Sequence, residues 1–157
     1  MSTILCPTRG GKASIPNQDR AIILAQEQGA DLIFLYVSDV HFLDHLRRPV
    51  AVEDVERRLD EIGEFVLVMA KERAEKAGLN AEALVRRGSF SQAIDEVIRA
   101  NDVSMVVLGS GSQGTGITTP EYRRDLADYL VSEYGVEVVI SAVGEVIQHQ
   151  KLPPEAE

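Results

Sequence analysis

The sequence predicts an α/β fold with one open sheet of five parallel strands and helices on both of its faces. Short runs rich in β-branched residues alternate with segments of helical periodicity, and this alternation is typical of strands joined by right-handed helical crossovers. The run at 31–39, DLIFLYVSD, is nearly continuous in apolar residues, as expected for a strand covered on both faces. A length of 157 residues suits a single domain with one core.

The first strand and the first helix are predicted near the start of the chain. The apolar run at 2–8, STILCPT, contains Pro7 and precedes a glycine pair, a pattern that indicates a buried strand followed by a loop. Pro16 suits the first turn of a helix, and Gly29 supplies its stop. The residues of this helix at near-helical spacing are Ala21, Ile22, Leu24, Ala25 and Gln28.

A long second helix is predicted over 52–77, after a segment at 40–51 that has no clear periodicity. Gly78 would end this helix. Its expected core-facing stripe, at steps of three and four, consists of Val52, Val55, Leu59, Ile62, Val66, Met69, Arg73 and Ala74.

The second half of the chain predicts three strands, at 81–88, 103–109 and 136–143. Ser89 and Gln92 have capping-box spacing before a short helix, whose buried face would consist of Ile94, Val97 and Ile98. Pro120 can open the last helix, with inward residues Leu126, Tyr129, Leu130 and Tyr134. Residues 1–143 thus form the expected domain, and the polar, Pro-containing stretch 144–157 is expected to be a flexible tail.

The composition excludes several classes of partner. A formal net charge of −9 argues against general binding of nucleic acid, because its phosphates require clustered Lys and Arg. No window reaches the ~18 continuous apolar residues of a membrane span, and the N-terminus lacks the pattern of a signal peptide. The single Cys6 cannot form an internal disulfide, so a cytoplasmic location is expected.

Ligands of parallel sheets bind outside the carboxyl ends of the strands, where the strand order reverses. Two loops compete for that place: CPTRGGK after the first strand and GSGSQGTG after the fourth. The second loop matches the dinucleotide fingerprint G-x-G-x-x-G only weakly, because it follows the fourth strand and no helix opens from its last glycine. Two other interpretations of this second loop are open. It is either a structural loop whose glycines allow positive φ, or a site for an anion or a nucleotide phosphate.

Other reactive side chains favour structural roles. Cys6 lies within the first strand and is expected to be a small packing residue rather than a nucleophile. His41 and His45, four residues apart, have a spacing that can ligate zinc. Without a third ligand or a following Glu, exposed histidines are the favoured interpretation. No Ser-His-Asp arrangement is legible, so no catalytic residue is assigned.

The chain resembles the universal stress protein family over about residues 2–143. The resemblance rests on ILCPTRGG at the start, on GADLIFLYV through the second strand, on RRGSFSQAIDEVIRANDVSMVVLGS and on GVEVVI. It implies a Rossmann-like sheet of the adenine nucleotide alpha hydrolase type, in the order 3-2-1-4-5. It also implies a homodimer built by pairing of the last strands, a role in stress response or signalling, and ATP binding in some members.

The resemblance locates nucleotide binding in two places, and this chain departs from the family pattern at both. The ATP-binding members carry Asp two residues after the proline of the first loop, where this chain has Arg9 after Thr8. They also carry Gly, two residues, Gly, nine residues, and then Gly followed by Ser or Thr. Counted from Gly109 the closing pair is Tyr122-Arg123, and counted from Gly111 it is Arg124-Asp125. Bulky side chains thus replace small ones where the phosphates would lie.

These departures favour a non-catalytic homodimer without the usual ATP mode, whose partner is a protein or a small effector. The alternatives are an ATP or AMP sensor with a modified glycine-rich loop, and a small enzyme. No cofactor is assigned with certainty; ATP, another adenine nucleotide, phosphate and sulfate are the candidates. The expected anion-binding or nucleotide-binding residues are Pro7, Thr8, Arg9, Val37, Gly109, Gly111, Ser112, Gly114, Arg123 and Arg124. The expected dimer contacts, on a fifth strand at the sheet edge, are Val136, Val138 and Ile140.

Overall fold

Helices and strands alternate along the chain in the computed structural model, which describes residues 2–8, 14–38, 52–109, 120–142 and 144–153. The strands within these ranges are β1 Thr3–Pro7, β2 Asp31–Ser38, β3 Ala81–Arg87, β4 Val103–Gly109, β5 Glu137–Ala142 and β6 Glu145–Gln150. The helices are α1 Ile15–Gln28, α2 Val52–Lys76, α3 Phe90–Ala100 and α4 Pro120–Tyr134.

The strands form one sheet in the order β3-β2-β1-β4-β5-β6. Neighbouring pairs among β1 to β5 are parallel, which confirms the predicted order 3-2-1-4-5. β6 is the addition: it pairs antiparallel with β5. The strand order reverses between β1 and β4, so the carboxyl ends of these two strands flank the switch point.

Two apolar layers cover the two faces of the sheet. One joins α1 and α2 to side chains such as Phe34 and Val107, and the other joins α3 and α4 to side chains such as Leu5 and Val138. The sheet is therefore covered by two helices on each face, as predicted. The capping prediction for α3 is also confirmed, since Ser89 Oγ accepts a hydrogen bond from the Gln92 backbone N–H at 3.3 Å.

β6 overturns two expectations. Residues 145–150 form a strand rather than part of a flexible tail, and this strand occupies the edge of β5 that was expected to be open. Val136, Val138 and Ile140 are at most 3% exposed within one copy, because α3, α4 and the sheet enclose them. The open edge on which their assignment to a dimer contact rested is therefore occupied by β6 within one copy. The sequence concealed β6 because EVIQHQ is mostly polar, and its pairing with β5 uses backbone groups.

The side of α2 that faces the sheet also differs from the prediction. Its buried residues are small or of medium size, and they are Gly63, Leu67, Ala70 and Ala74. The Tyr36 ring sets this choice, because an ideal Cβ at position 63 would lie only 2.4 Å from Tyr36 Cδ1. Small residues allow α2 to approach the sheet, so Ile62 and Met69, which were expected in the core, are exposed. Tyr129 of α4 was likewise expected inside and is 41% exposed.

Candidate functional site

The first turns of α1 lie against the carboxyl ends of the central strands. β1 ends at Pro7 and β4 ends at Gly109, and the two strands are parallel neighbours. An ideal Cβ at Gly109 would lie 2.7 Å from Asn17 Nδ2 of α1. The glycine thus permits a close approach between the end of β4 and α1. This edge of the sheet is the one at which parallel α/β folds bind ligands.

A polar chain runs from α2 through α1 to the end of β1. Arg73 Nη2 donates to Gln18 Oε1 at 2.6 Å, and Gln18 Nε2 donates a short hydrogen bond to Thr8 Oγ1. Gln18 is 2% exposed and Thr8 is 8% exposed, so these bonds satisfy polar groups away from water. Arg73 Nε also donates to Asp19 Oδ1 at 3.0 Å. The network anchors a guanidinium to the strand end through a buried amide.

A second polar cluster ties the end of β5 to α1. Asn17 Oδ1 accepts hydrogen bonds from Ser141 Oγ at 2.8 Å and from the Gly144 backbone N–H at 3.2 Å. Arg20 Nε donates to the Gly144 carbonyl at 2.6 Å. Gly144 has φ of 81°, a left-handed conformation that a side chain would strain. The turn between β5 and β6 is therefore held beside the first turns of α1.

The structure brings three of the predicted site residues to this edge. Pro7 ends β1, Gly109 ends β4, and the backbone N–H of Thr8 donates to the Leu35 carbonyl at 2.8 Å. Val37 lies near the end of β2, where it is half-buried against the core layer beneath α3 and α4. The other predicted residues of the two loops lie outside the described residues, and these are Arg9, Gly111, Ser112 and Gly114.

The remaining predicted cations lie in the first turns of α4. Arg123 is half-buried and makes interactions with its surroundings, whereas Arg124 is exposed. The neighbouring Tyr122 is half-buried and packs against the layer beneath α3 and α4. Tyr122-Arg123, the closing pair when the family spacing is counted from Gly109, is thus helical, with its tyrosine against the core. Arg124-Asp125, the closing pair when it is counted from Gly111, lies in the same helix. A turn of bare backbone is absent at this described position.

Several polar groups at this edge already have hydrogen-bond partners within the protein. The described residues there supply hydroxyls, carboxamides, backbone N–H groups and the Arg73 guanidinium. Ser141 is fully buried and already bonds Asn17, and Asp19 accepts from Arg73. A nucleophile needs a base within hydrogen-bond reach, and the Ser141 hydroxyl donates to the Asn17 carboxamide rather than to a His or a carboxylate.

Cys6 is buried in β1 beneath α1 and α2, and this confirms its interpretation as a packing residue. Burial raises the pKa of the Cys6 thiol to about 12, and the positive charge of Arg73 opposes this shift only partly. The thiolate is the nucleophilic form of cysteine. The Cys6 thiol therefore stays protonated in the folded protein near neutral pH.

We expect the contribution of Cys6 to stability to fall in alkaline solution. Because its folded pKa lies above the ordinary value of 9.0, the unfolded chain loses the proton first, and stability is lost as pH rises above that value. The stability advantage of the natural protein over Cys6→Ala should shrink by about 1 kcal/mol between about pH 8 and about pH 10. Urea unfolding at both pH values measures this, and a constant advantage would contradict it. Val107→Ala, in the same layer, should show a constant cost.

Three residues of the site escaped the sequence prediction in their present role. They are Asn17, Gln18 and Arg73. Gln18 precedes Ala21 by three residues and Ile22 by four, so a polar side chain on the apolar stripe of α1 was the available signal. Arg73 was assigned to the core-facing stripe of α2 without a partner. Asn17 gave no signal, because its partners Ser141 and Gly144 are distant in the sequence.

Two further expectations concern a metal site and a membrane-spanning segment. Within the described residues, no group of three or more His, Cys, Asp or Glu is placed to hold a metal ion. His41 and His45 lie outside these residues. None of the helices within the described ranges combines the length and the apolar character that a membrane crossing requires.

Comparison with known proteins agrees with this fold. Universal stress protein YxiE of Bacillus subtilis (strain 168) is 28% identical over 117 residues, which cover 64% of this chain and 73% of YxiE. A crystal structure of a universal stress protein family member from Burkholderia pseudomallei matches with a TM-score of 0.67 and 20% identity, over 90% of this chain and 96% of that one. Another universal stress protein, crystallised in complex with cAMP, matches with a TM-score of 0.63 and 20% identity, over 90% and 97%.

The sequence profile described as the Universal stress protein family matches residues 1–139 of this chain. This range contains the four helices described above, the parallel strands β1 to β4, and β5 as far as Val139. The fold, the strand order and the profile point to the same group of proteins. The chain belongs to the universal stress protein family.

Proposed function

We propose that this universal stress protein is a non-catalytic homodimer that holds a compact anion at the carboxyl ends of β1 and β4, without the family's usual ATP-binding mode. The observation that carries this proposal is the packing of Tyr122 against the core from within α4. In the register counted from Gly109, a helical tyrosine occupies the place where a small residue would let backbone approach a phosphate chain. A triphosphate therefore lacks part of the backbone contacts that it needs, whereas a single phosphate or sulfate needs fewer contacts.

Positive charge and hydrogen-bond donors support the anion. Arg9 directly follows Thr8 at the end of β1, and glycines with Ser and Thr follow Gly109 at the end of β4. Arg73 adds a guanidinium anchored through Gln18 to the same strand end. Arginine binds phosphate and sulfate oxygens with paired donors. Arg9 also stands where the ATP-binding members of the family carry the acidic residue that recognises the nucleotide.

A second candidate function is that of an adenine mononucleotide sensor with a modified loop. The observation that favours it is the complex of a universal stress protein of the same fold with cAMP. This ligand carries one phosphate, which matches the compact anion proposed for this chain. The two functions share the strand-end site and differ in whether an adenine adds affinity.

We expect phosphate or sulfate to bind. We expect ATP to bind with a Kd above about 1 μM, because a Kd of that size corresponds to ~8 kcal/mol of binding free energy and requires a well-formed pocket. Arg9→Asp should weaken anion binding roughly tenfold or more, since it removes a charge-assisted hydrogen bond and adds repulsion. Isothermal titration calorimetry with phosphate, sulfate, AMP, cAMP and ATP measures both effects. Lys76→Asp, with the same charge change at the end of α2, is the control.

The outcomes separate the candidate functions. Binding of phosphate with sensitivity to Arg9→Asp, and ATP weaker than micromolar, supports the compact-anion site. Binding of AMP or cAMP much tighter than phosphate supports the sensor instead. ATP bound with micromolar affinity or better would refute the loss of the usual ATP mode. An Arg9→Asp variant that binds phosphate unchanged would refute the compact-anion site.

The proposed role is in stress response or signalling, in a reducing cytoplasmic setting that suits the single buried Cys6. The homodimer part of the proposal has its support in the surface of α2, described below. β5 cannot provide the contact in this fold unless β6 leaves its edge.

A further inference from the structure

The outer side of α2 carries an apolar face that the fold does not use. Its members are large side chains exposed by 46 to 70%, and they are Ile62, Phe65, Val68 and Met69. They lie at steps of three and four, on the side of the helix away from the buried Gly63, Leu67, Ala70 and Ala74. Single exposed apolar residues are ordinary, but a contiguous group around a 70% exposed phenylalanine marks an interaction surface.

The charges that flank this outer apolar face indicate what covers it. Arg58 lies seven residues before Phe65 and Glu72 lies seven residues after it, and both are exposed. Seven residues are close to two helical turns, so the two charges lie on nearly the same side of α2 as Phe65. Glu61, four residues before Phe65, is also exposed at the margin of this side, so the face runs from a cation, through apolar residues flanked by one carboxylate, to an anion.

Such a pattern is complementary to itself when two copies run antiparallel. With Phe65 on the two-fold axis, each position meets the position at equal distance on the other side of residue 65. Arg58 then faces Glu72 of the partner subunit, twice per dimer, and Ile62 faces Val68 of the partner subunit. A parallel pairing in register would place like charges together. A two-fold dimer uses the same patch on both copies.

We propose that two copies associate antiparallel along α2, with the two Phe65 rings at the symmetry axis and Arg58 of each copy paired with Glu72 of the partner subunit. This interface rests on the homodimer of the proposed function and replaces the one expected at β5. The apolar centre with a charged rim follows the general anatomy of protein interfaces. The interface does not involve the carboxyl ends of β1 and β4, so the proposed anion site lies within a single chain.

A cysteine at the axis provides the first test, because the natural Cys6 is buried. Phe65→Cys should form a disulfide-linked dimer under mild oxidation, since each residue 65 meets its own copy. Ile23→Cys, exposed by 40% on α1, is the matched control and should stay largely unlinked. Equal linking of the two variants, or no linking of Phe65→Cys, would overturn the interface.

A charge exchange provides the second test. Arg58→Glu and Glu72→Arg should each weaken the dimer roughly tenfold in Kd, because each places like charges opposite one another twice. The double variant R58E/E72R should return to within a few-fold of the natural protein. Sedimentation velocity over a concentration series measures the three constants. Single and double variants with the same Kd as the natural protein would overturn the register.

Failure of the interface and failure of the proposed function are distinguishable. Phe65→Glu should give monomers that still bind phosphate, since it places two like charges at the symmetry axis while the anion site lies within one chain. A natural protein that is monomeric at high micromolar concentration overturns the homodimer and the interface together. A dimer that survives Phe65→Glu overturns the interface alone, and phosphate calorimetry on the same variant tests the anion site independently.

Discussion

Ile94→Ala is expected to lower the free energy of unfolding by about 2–5 kcal/mol. Ile94 lies in α3, has no exposed surface, and packs in the layer between the sheet and the helices α3 and α4. Removal of its side chain takes away buried apolar contacts and leaves a cavity, which the surrounding rigid strands cannot fill. Domains are typically stable by only ~5–15 kcal/mol, so this change would remove a large share of the total.

Urea unfolding followed by circular dichroism measures this loss as a lower midpoint with an unchanged slope. Ile23→Ala is the matched control, because it makes the same substitution in a helix at a position that is 40% exposed. Alanine is the better helix former at both positions, so the difference between the variants isolates burial. A similar cost for the two substitutions would mean that the layer beneath α3 is not packed as described.

Gln18→Leu is expected to destabilise the fold by about 1–3 kcal/mol, although leucine is more apolar than glutamine. The amide of Gln18 joins Arg73 to Thr8. Its loss removes the acceptor of Arg73 Nη2 and the donor to the buried Thr8 hydroxyl. When a buried polar group loses its hydrogen-bond partner, the free energy lost on removing that group from water is no longer compensated.

Gln26→Leu is the matched control, on the same helix. The Gln26 side chain donates to the Ala77 carbonyl at 3.0 Å, but it is exposed and water can replace it. Its substitution should cost much less than that of Gln18. Thermal unfolding of both variants, together with phosphate calorimetry, measures the effect on stability and on the proposed site. If Gln18→Leu proves as stable as Gln26→Leu, the buried amide is not the link described here.

The placement of Gln18 has a consequence for function. In this chain the first turns of α1 reach the ends of β1, β4 and β5 through Asn17 and Gln18. A ligand at the switch point therefore meets an edge whose hydroxyls and amides are already hydrogen-bonded. In our proposal the ligand is a small anion, because such a preorganised edge can offer it the few contacts that it needs.

The sequence by itself determined the order and type of the main elements. Strand and helix periodicities differ, and Gly29, Ser89 and Pro120 mark helix ends through local backbone chemistry, so these boundaries follow from neighbouring residues. The strand order and the family followed from the resemblance, because no local pattern states which strands pair. The strand ends that flank the site, at Pro7 and Gly109, were also within reach of the sequence.

Only the tertiary structure decided which groups meet. The polar β6 pairs with β5 through backbone hydrogen bonds, which side-chain patterns do not encode. The face of α2 was chosen by the space beside the Tyr36 ring, so Gly63 turned inward and Phe65 outward. The link from Arg73 through Gln18 to Thr8 joins residues from three elements. Contacts between distant residues depend on packing in three dimensions, and hydrophobic periodicity along one chain cannot report them.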